Sequence, residues 1–177
     1  MSNLKESARP DLSGLRDAAL YWAVISFIES QPGRWSQVDW RIAVLDGKRL
    51  AISAVRTEDM ARCGTAMCVA GWISDLTGGR WYVELSKDGV LRGGEQCSPE
   101  LIWSSEMELV VAEEGDAESV IEQKRKVAVV PAQHRATRLL GITKAQAEDL
   151  FGGGNDLRYL IERGEAIFGP RPVGSHQ

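Results

Sequence analysis

A chain of 177 residues with 44% hydrophobic and 26% charged side chains has the composition of a globular protein long enough to form one domain with its own core. Its 25 acidic residues outnumber 21 basic ones, for a net charge of −4, which lacks the positive excess that neutralising duplex phosphates requires. No apolar run is long enough to span a bilayer, and the three cysteines without an export signal fit reduced thiols in the cytoplasm.

Residues 1–13 are polar, contain Pro10 and show no apolar period, so they read as a mobile arm. A first helix is expected from about Gly14, with Leu15, Ala18, Ala19, Trp22, Ile25, Phe27 and Ile28 supplying the buried side and Pro32-Gly33 ending it. Trp35 and Trp40 flank a short polar loop. Arg41 to Leu45 and Leu50 to Val55 are β-prone runs on either side of Asp46-Gly47, which predicts a hairpin.

The stretch RCGTAMCVAGW, Arg62 to Trp72, reads as the start of a central helix reaching Leu76. Val69, Trp72, Ile73 and Leu76 form one apolar stripe, Ala66, Ala70 and Gly71 allow close approach of a neighbour, Thr65 is placed as the cap, and Gly78-Gly79 closes the element. Arg80 to Leu85 and Gly89 to Leu91 then predict a second hairpin. Such hairpins are marginal alone and need helices against them.

Between Glu106 and Glu122 lie seven acidic residues and no basic one, broken by Leu109-Val110-Val111; Lys124, Arg125, Lys126 and Val127 to Val130 follow. This predicts two short strands joined by an exposed acidic loop, either simply solvated or docking onto a basic partner. Pro131 opens a helix to Leu140 and Gly141 closes it; Thr143 and Gln146 form a capping box for a helix over 145–151. Asn155 is placed as the cap of a third helix containing Leu157, Leu160, Ile161 and Gly164, and residues 169–177 read as a disordered tail. The expectation is a single α+β domain over 14–168, a small antiparallel sheet of hairpins packed on a central helix and a C-terminal three-helix unit.

CGTAMCVAGW, the later RATRLLGITKAQAEDLF and the helix NDLRYLIERG together resemble segments of small uncharacterised proteins of actinobacterial phages and their hosts. Ile142 stands where that group usually has leucine. The resemblance covers about Gly14 to Ile167 and implies a phage accessory protein in the host cytoplasm, without an established activity.

Three chemistries compete with that reading. Cys63, Cys68, Cys97 and His134 have the donor types of a Cys3His zinc site, but a C-x4-C pair with Cys68 inside a helix separates its sulfurs around the axis, so no metal or other cofactor is assigned. Cys63 before a helix N-terminus, with His134 or Asp75 to orient a base, is the thiol alternative, set against buried, idle cysteines. No catalytic residue is assigned, and the phosphate-loop, dinucleotide, metalloprotease and hydrolase-elbow patterns are missing. The C-terminal helices resemble a helix-turn-helix regulator, yet Arg158 and Arg163 stand among Asp156, Glu162 and Glu165. Contact with a host or virion protein is therefore preferred, with Trp81, Tyr82 and Trp103 beside Glu113, Glu114 and Asp116 as the contact surface. Trp81 and Tyr82 point to opposite faces of a strand, so only one of them is exposed on a one-sided sheet.

Overall fold

The structure is a computed structural model, and it describes residues 9–39, 41–45, 48–51, 54–55, 64–86 and 89–172. Its class is α+β, as the sequence predicts. Helix α1 (Asp17–Ser30) buries Leu20, Tyr21, Val24, Ile25 and Ile28, and a 3-10 turn at Pro32–Arg34 ends it. Helix α2 (Val69–Leu76) buries every residue except Asp75. Packing against both α1 and α3 (Ala132–Leu140) covers it, and the Ser74 hydroxyl, itself buried, donates to the Ala132 carbonyl at 3.3 Å. A polar side chain is tolerated at that depth because it has an acceptor.

The central helix begins later than its periodicity predicts. Residues Gly64–Met67 form a strand (β3) paired antiparallel with β1 (Arg41–Leu45), and Cys68, not Thr65, is the N-cap, its Sγ accepting the Gly71 amide at 3.5 Å. Ladder bonds to β1 outweigh the helical preference of Ala66 and Met67, a tertiary effect that local spacing does not carry. The expected hairpin exists, but its second strand, β2 (Lys48–Leu50), lies upstream of the expected Leu50–Val55 run and shares only Leu50 with it; its Asp46-Gly47 turn lies outside the described residues. The sheet order is β2-β1-β3.

The second sheet has three strands where a two-stranded hairpin is predicted. After β4 (Val83–Ser86) and β5 (Gly89–Arg92), Gly93 and Gly94 take φ of 62° and 87°, and β6 (Glu95–Cys97) returns along β5. Two successive positive φ values twist a tight turn in the hand that a β-hairpin needs. The third sheet runs β7-β9-β8, with β7 Leu109–Val111, β8 Glu122–Lys124 and β9 Val127–Pro131. The acidic stretch between β7 and β9 is thus not all loop: it holds a 3-10 turn at Glu118–Val120 and ends at Glu122, the first residue of β8.

Residues 80–82 tie the second and third sheets together: the Tyr82 amide donates to the Leu109 carbonyl, the Val111 amide to the Arg80 carbonyl, and Trp81 bridges to Val110. Alternation along these strands sends neighbours to opposite sides. Trp81, Val110 and Val130 enter the core formed by the helices, while Tyr82, Leu109 and Val129 enter a second core with Ala43, Val83, Val90, Ile102 and Met107. This strand layer is covered on both faces.

The C-terminal helices match the sequence closely. Gly141 is left-handed at φ 62°, and Thr143 and Gln146 form the reciprocal cap of α4 (Lys144–Leu150). One cap moves: Asp156 caps α5 (Leu157–Phe168) by accepting the Tyr159 amide at 2.7 Å, whereas Asn155 donates back to the Asp149 and Leu150 carbonyls at the end of α4. Both ends of the described residues are anchored further out than composition suggests. Leu12 packs on the first core and its amide donates to the Leu76 carbonyl at 2.8 Å, and Arg171 donates to Ser26 Oγ and Glu29 Oε2 at 2.6 Å each.

Candidate functional site

The segment after β6 exposes two of the three large apolar side chains that face solvent among the described residues. Pro99, Ile102 and Met107 are buried, so the intervening Leu101 and Trp103 are forced outward, where they remain 55% and 74% exposed. Their backbone is nonetheless fixed. The Trp103 amide donates to Glu106 Oε2 at 3.0 Å, the Glu106 amide donates to the Trp103 carbonyl at 2.9 Å, and the buried Arg92 donates to the Leu101 carbonyl at 2.9 Å while lying 3.6 Å from the Glu106 carboxylate. Trp103 is an exposed ring on a held backbone.

Beside it opens a cleft of 480 Å³, with Ile42, Ala51, Leu101, Ile102, Trp103 and Met107 among its walls and Asp39, Arg41, Glu100 and Ser104 as its polar groups. That volume lies within the range of about 300–1,000 Å³ usual for ligand pockets. Arg41 turns elsewhere: its guanidinium sits 4.6 Å from the Trp81 ring centroid and donates to the Val83 carbonyl.

The structure separates the expected contact residues. Trp81 and Tyr82 are both buried; at 6% and 1% exposure they occupy the two cores on either side of the strand layer, because the sheet is not one-sided. The Trp81 indole N–H donates to Asp75 Oδ1 at 2.9 Å, and Asp75 also accepts from Arg9 at 2.8 Å, which leaves that carboxylate as a structural partner. Asp116 is not part of an exposed acidic surface. Its side chain is 3% exposed and receives Arg135 at 2.6 Å and Arg138 at 2.9 Å, while Glu113 accepts from Arg135 at 2.8 Å. The fully buried Arg135 also donates to the Val111 carbonyl at 2.7 Å, so this cluster staples the acidic segment to α3. Burial pushes the Asp116 carboxyl up, but the Arg135 hydrogen bond, the Glu113 backbone bond and the two guanidinium charges hold it below the usual aspartate value. Glu114 is exposed. Asp116 shares a different depression with His134 and Arg138, and not the cleft at Trp103.

The thiol and metal readings change with the helix start. Cys63 lies outside the described residues, and the residue at the N-terminus of α2 is Cys68. There the helix amides would favour a thiolate, yet burial dominates and pushes the Cys68 thiol up to about 12, with the Gly71 and Ala70 amides acting the other way. Cys97 is half-buried against the second core and His134 is exposed on α3. Among the described residues no group of three or more histidine, cysteine or acidic side chains is placed to hold a metal ion. The arginines expected to read DNA are engaged: Arg158 pairs with Glu162 at 2.8 Å and Arg163 with Asp149. The α5 face carrying Leu160 and Gly164 packs on α1, where Tyr21 donates to the Leu160 carbonyl at 2.7 Å. No helix of the described residues is long and apolar enough to cross a membrane.

Sequence reasoning missed the cleft because its walls come from β1, the end of β2 and the 99–107 segment, which are far apart in the chain. The alternation of Pro99, Ile102 and Met107 with Leu101 and Trp103 was the available signal. No family model, curated protein or solved structure matches this chain.

Proposed function

We propose that this protein acts by docking onto a protein of the host or virion, with Trp103 at the centre of the contact and without chemistry of its own. The observation that carries this reading is the 74% exposed indole on a backbone held by hydrogen bonds, beside an apolar cleft. An aromatic ring of this size left in water is unfavourable, and fixing its backbone in advance lowers the ordering cost of binding. Rigid aromatics at the rim of an apolar hollow are the usual anchors of protein interfaces. The resemblance of the CGTAMCVAGW and RATRLLGITKAQAEDLF segments to actinobacteriophage proteins supports a partner from the infected cell.

Photo-crosslinking tests it. With benzoylphenylalanine in place of Leu101, a discrete adduct should form in actinobacterial lysate, and adding Trp103→Ala should remove it while the melting temperature holds. An adduct that persists at full yield in the Trp103→Ala background overturns the reading.

A further inference from the structure

Resting on the docking reading, we propose that the cleft at Trp103 receives a cationic protein segment, an apolar side chain entering the hollow while flanking lysines or arginines lie on its carboxylate rim. Asp39 and Glu100 line the cleft; among the described residues neither takes part in an ion pair, and one Asp39 carboxylate oxygen accepts from the Ser36 hydroxyl at 2.7 Å. Among the described residues the cations nearby face other partners, and Arg41 is the one cation of the lining. Arg41 stacks on Trp81 and donates to the Val83 carbonyl, Arg92 is buried against Leu101 and Glu106, and Lys48 lies opposite Leu45 at the hairpin end remote from Arg41. From Gly93 to Gln123 the chain carries nine acidic side chains and no lysine or arginine, and of these Glu100 lines the cleft while Glu95, Glu106, Glu113, Asp116 and Glu122 are paired with arginines or lysines.

The charge decides between occupants. A second copy meeting the cleft face to face would bring Glu100 and Asp39 against their own counterparts, and like charges across an interface oppose association. Nucleic acid is repelled for the same reason. A partner segment bearing lysine or arginine on either side of a leucine or phenylalanine meets both the negative rim and the apolar floor. It would also be steered to the site, and the steering would weaken with salt.

The test uses the full chain and an array of short fluorescein-labelled peptides, each with one leucine or phenylalanine between lysine pairs, alongside copies with glutamate for lysine. The lysine peptides should bind, with affinity falling as salt rises, and the glutamate copies should bind weaker by about tenfold or more. Glu100→Lys, at an exposed position, should reduce lysine-peptide binding by about tenfold without lowering the melting temperature. Equal binding of both peptide sets, lost in Trp103→Ala, overturns the cationic partner and leaves the docking reading standing. Binding by neither set, with the Trp103-dependent adduct still formed in lysate, does the same. A doubling of molecular mass that Trp103→Ala abolishes replaces the cationic partner with a second copy.

Discussion

Trp81 and Trp103 are the same residue type in opposite circumstances. Trp81 fills the helical core, donates to Asp75 and lies under Arg41, so Trp81→Ala opens a cavity and takes from Asp75 one of its two donors; a loss of about 3–5 kcal/mol is expected. Trp103→Ala removes a ring that touches mostly water and should change stability by no more than about 0.5 kcal/mol. Urea denaturation of the two variants measures both, and a large loss for Trp103→Ala would place that ring in the core. At Asp116 the argument is electrostatic. Its folded carboxyl titrates below the ordinary 3.8, so the stability it contributes is present above about pH 4 and is lost as pH falls through the lowered folded value. Asp116→Asn should cost about 3 kcal/mol at neutral pH, the lower end for breaking a buried pair, since Glu113 and the Val111 carbonyl still accept from Arg135. The gap in melting temperature between wild type and variant should narrow below pH 4; a gap independent of pH would show that the carboxylate charge contributes nothing.

Among the elements, α5 tests packing against propensity. A Cβ at Gly164 would stand 2.3 Å from Tyr21 Cε1 and 3.1 Å from Trp22 Cη2, both on buried rings of α1. Gly164→Ala gains about 1 kcal/mol of helix propensity. Overpacking should outweigh it and leave a net loss of about 1–3 kcal/mol by thermal denaturation. The sequence made the C-terminal helices legible because their signals are local: a left-handed glycine at 141 and a hydroxyl and an amide three residues apart at 143 and 146. The strand Gly64–Met67 was not legible, since what makes it a strand is its pairing with Arg41–Leu45 some twenty residues upstream. Asp116 was misread for a related reason. Its acidity is visible in the chain, but the arginines that cover it come from α3, on the far side of β8 and β9. The cleft at Trp103 lies in between: the exposed ring follows from local alternation, its walls do not.

At the scale of the molecule, the layer formed by residues 80–82, β7 and β9 gives each of its strands two duties. Trp81, Val110 and Val130 close the helical side, and their immediate neighbours Tyr82, Leu109 and Val129 close the side that bears Ile102 and Met107, the pins of the Trp103 segment. A slip of β9 by one residue against β7 would exchange the places of Val129 and Val130 between the two cores. The face that carries Trp103 therefore has no foundation of its own. A fragment trimmed to carry only the hollow and its ring would strand Trp81, Val110 and Val130 in water, so the hollow and the helical bundle behind it must persist or be degraded together.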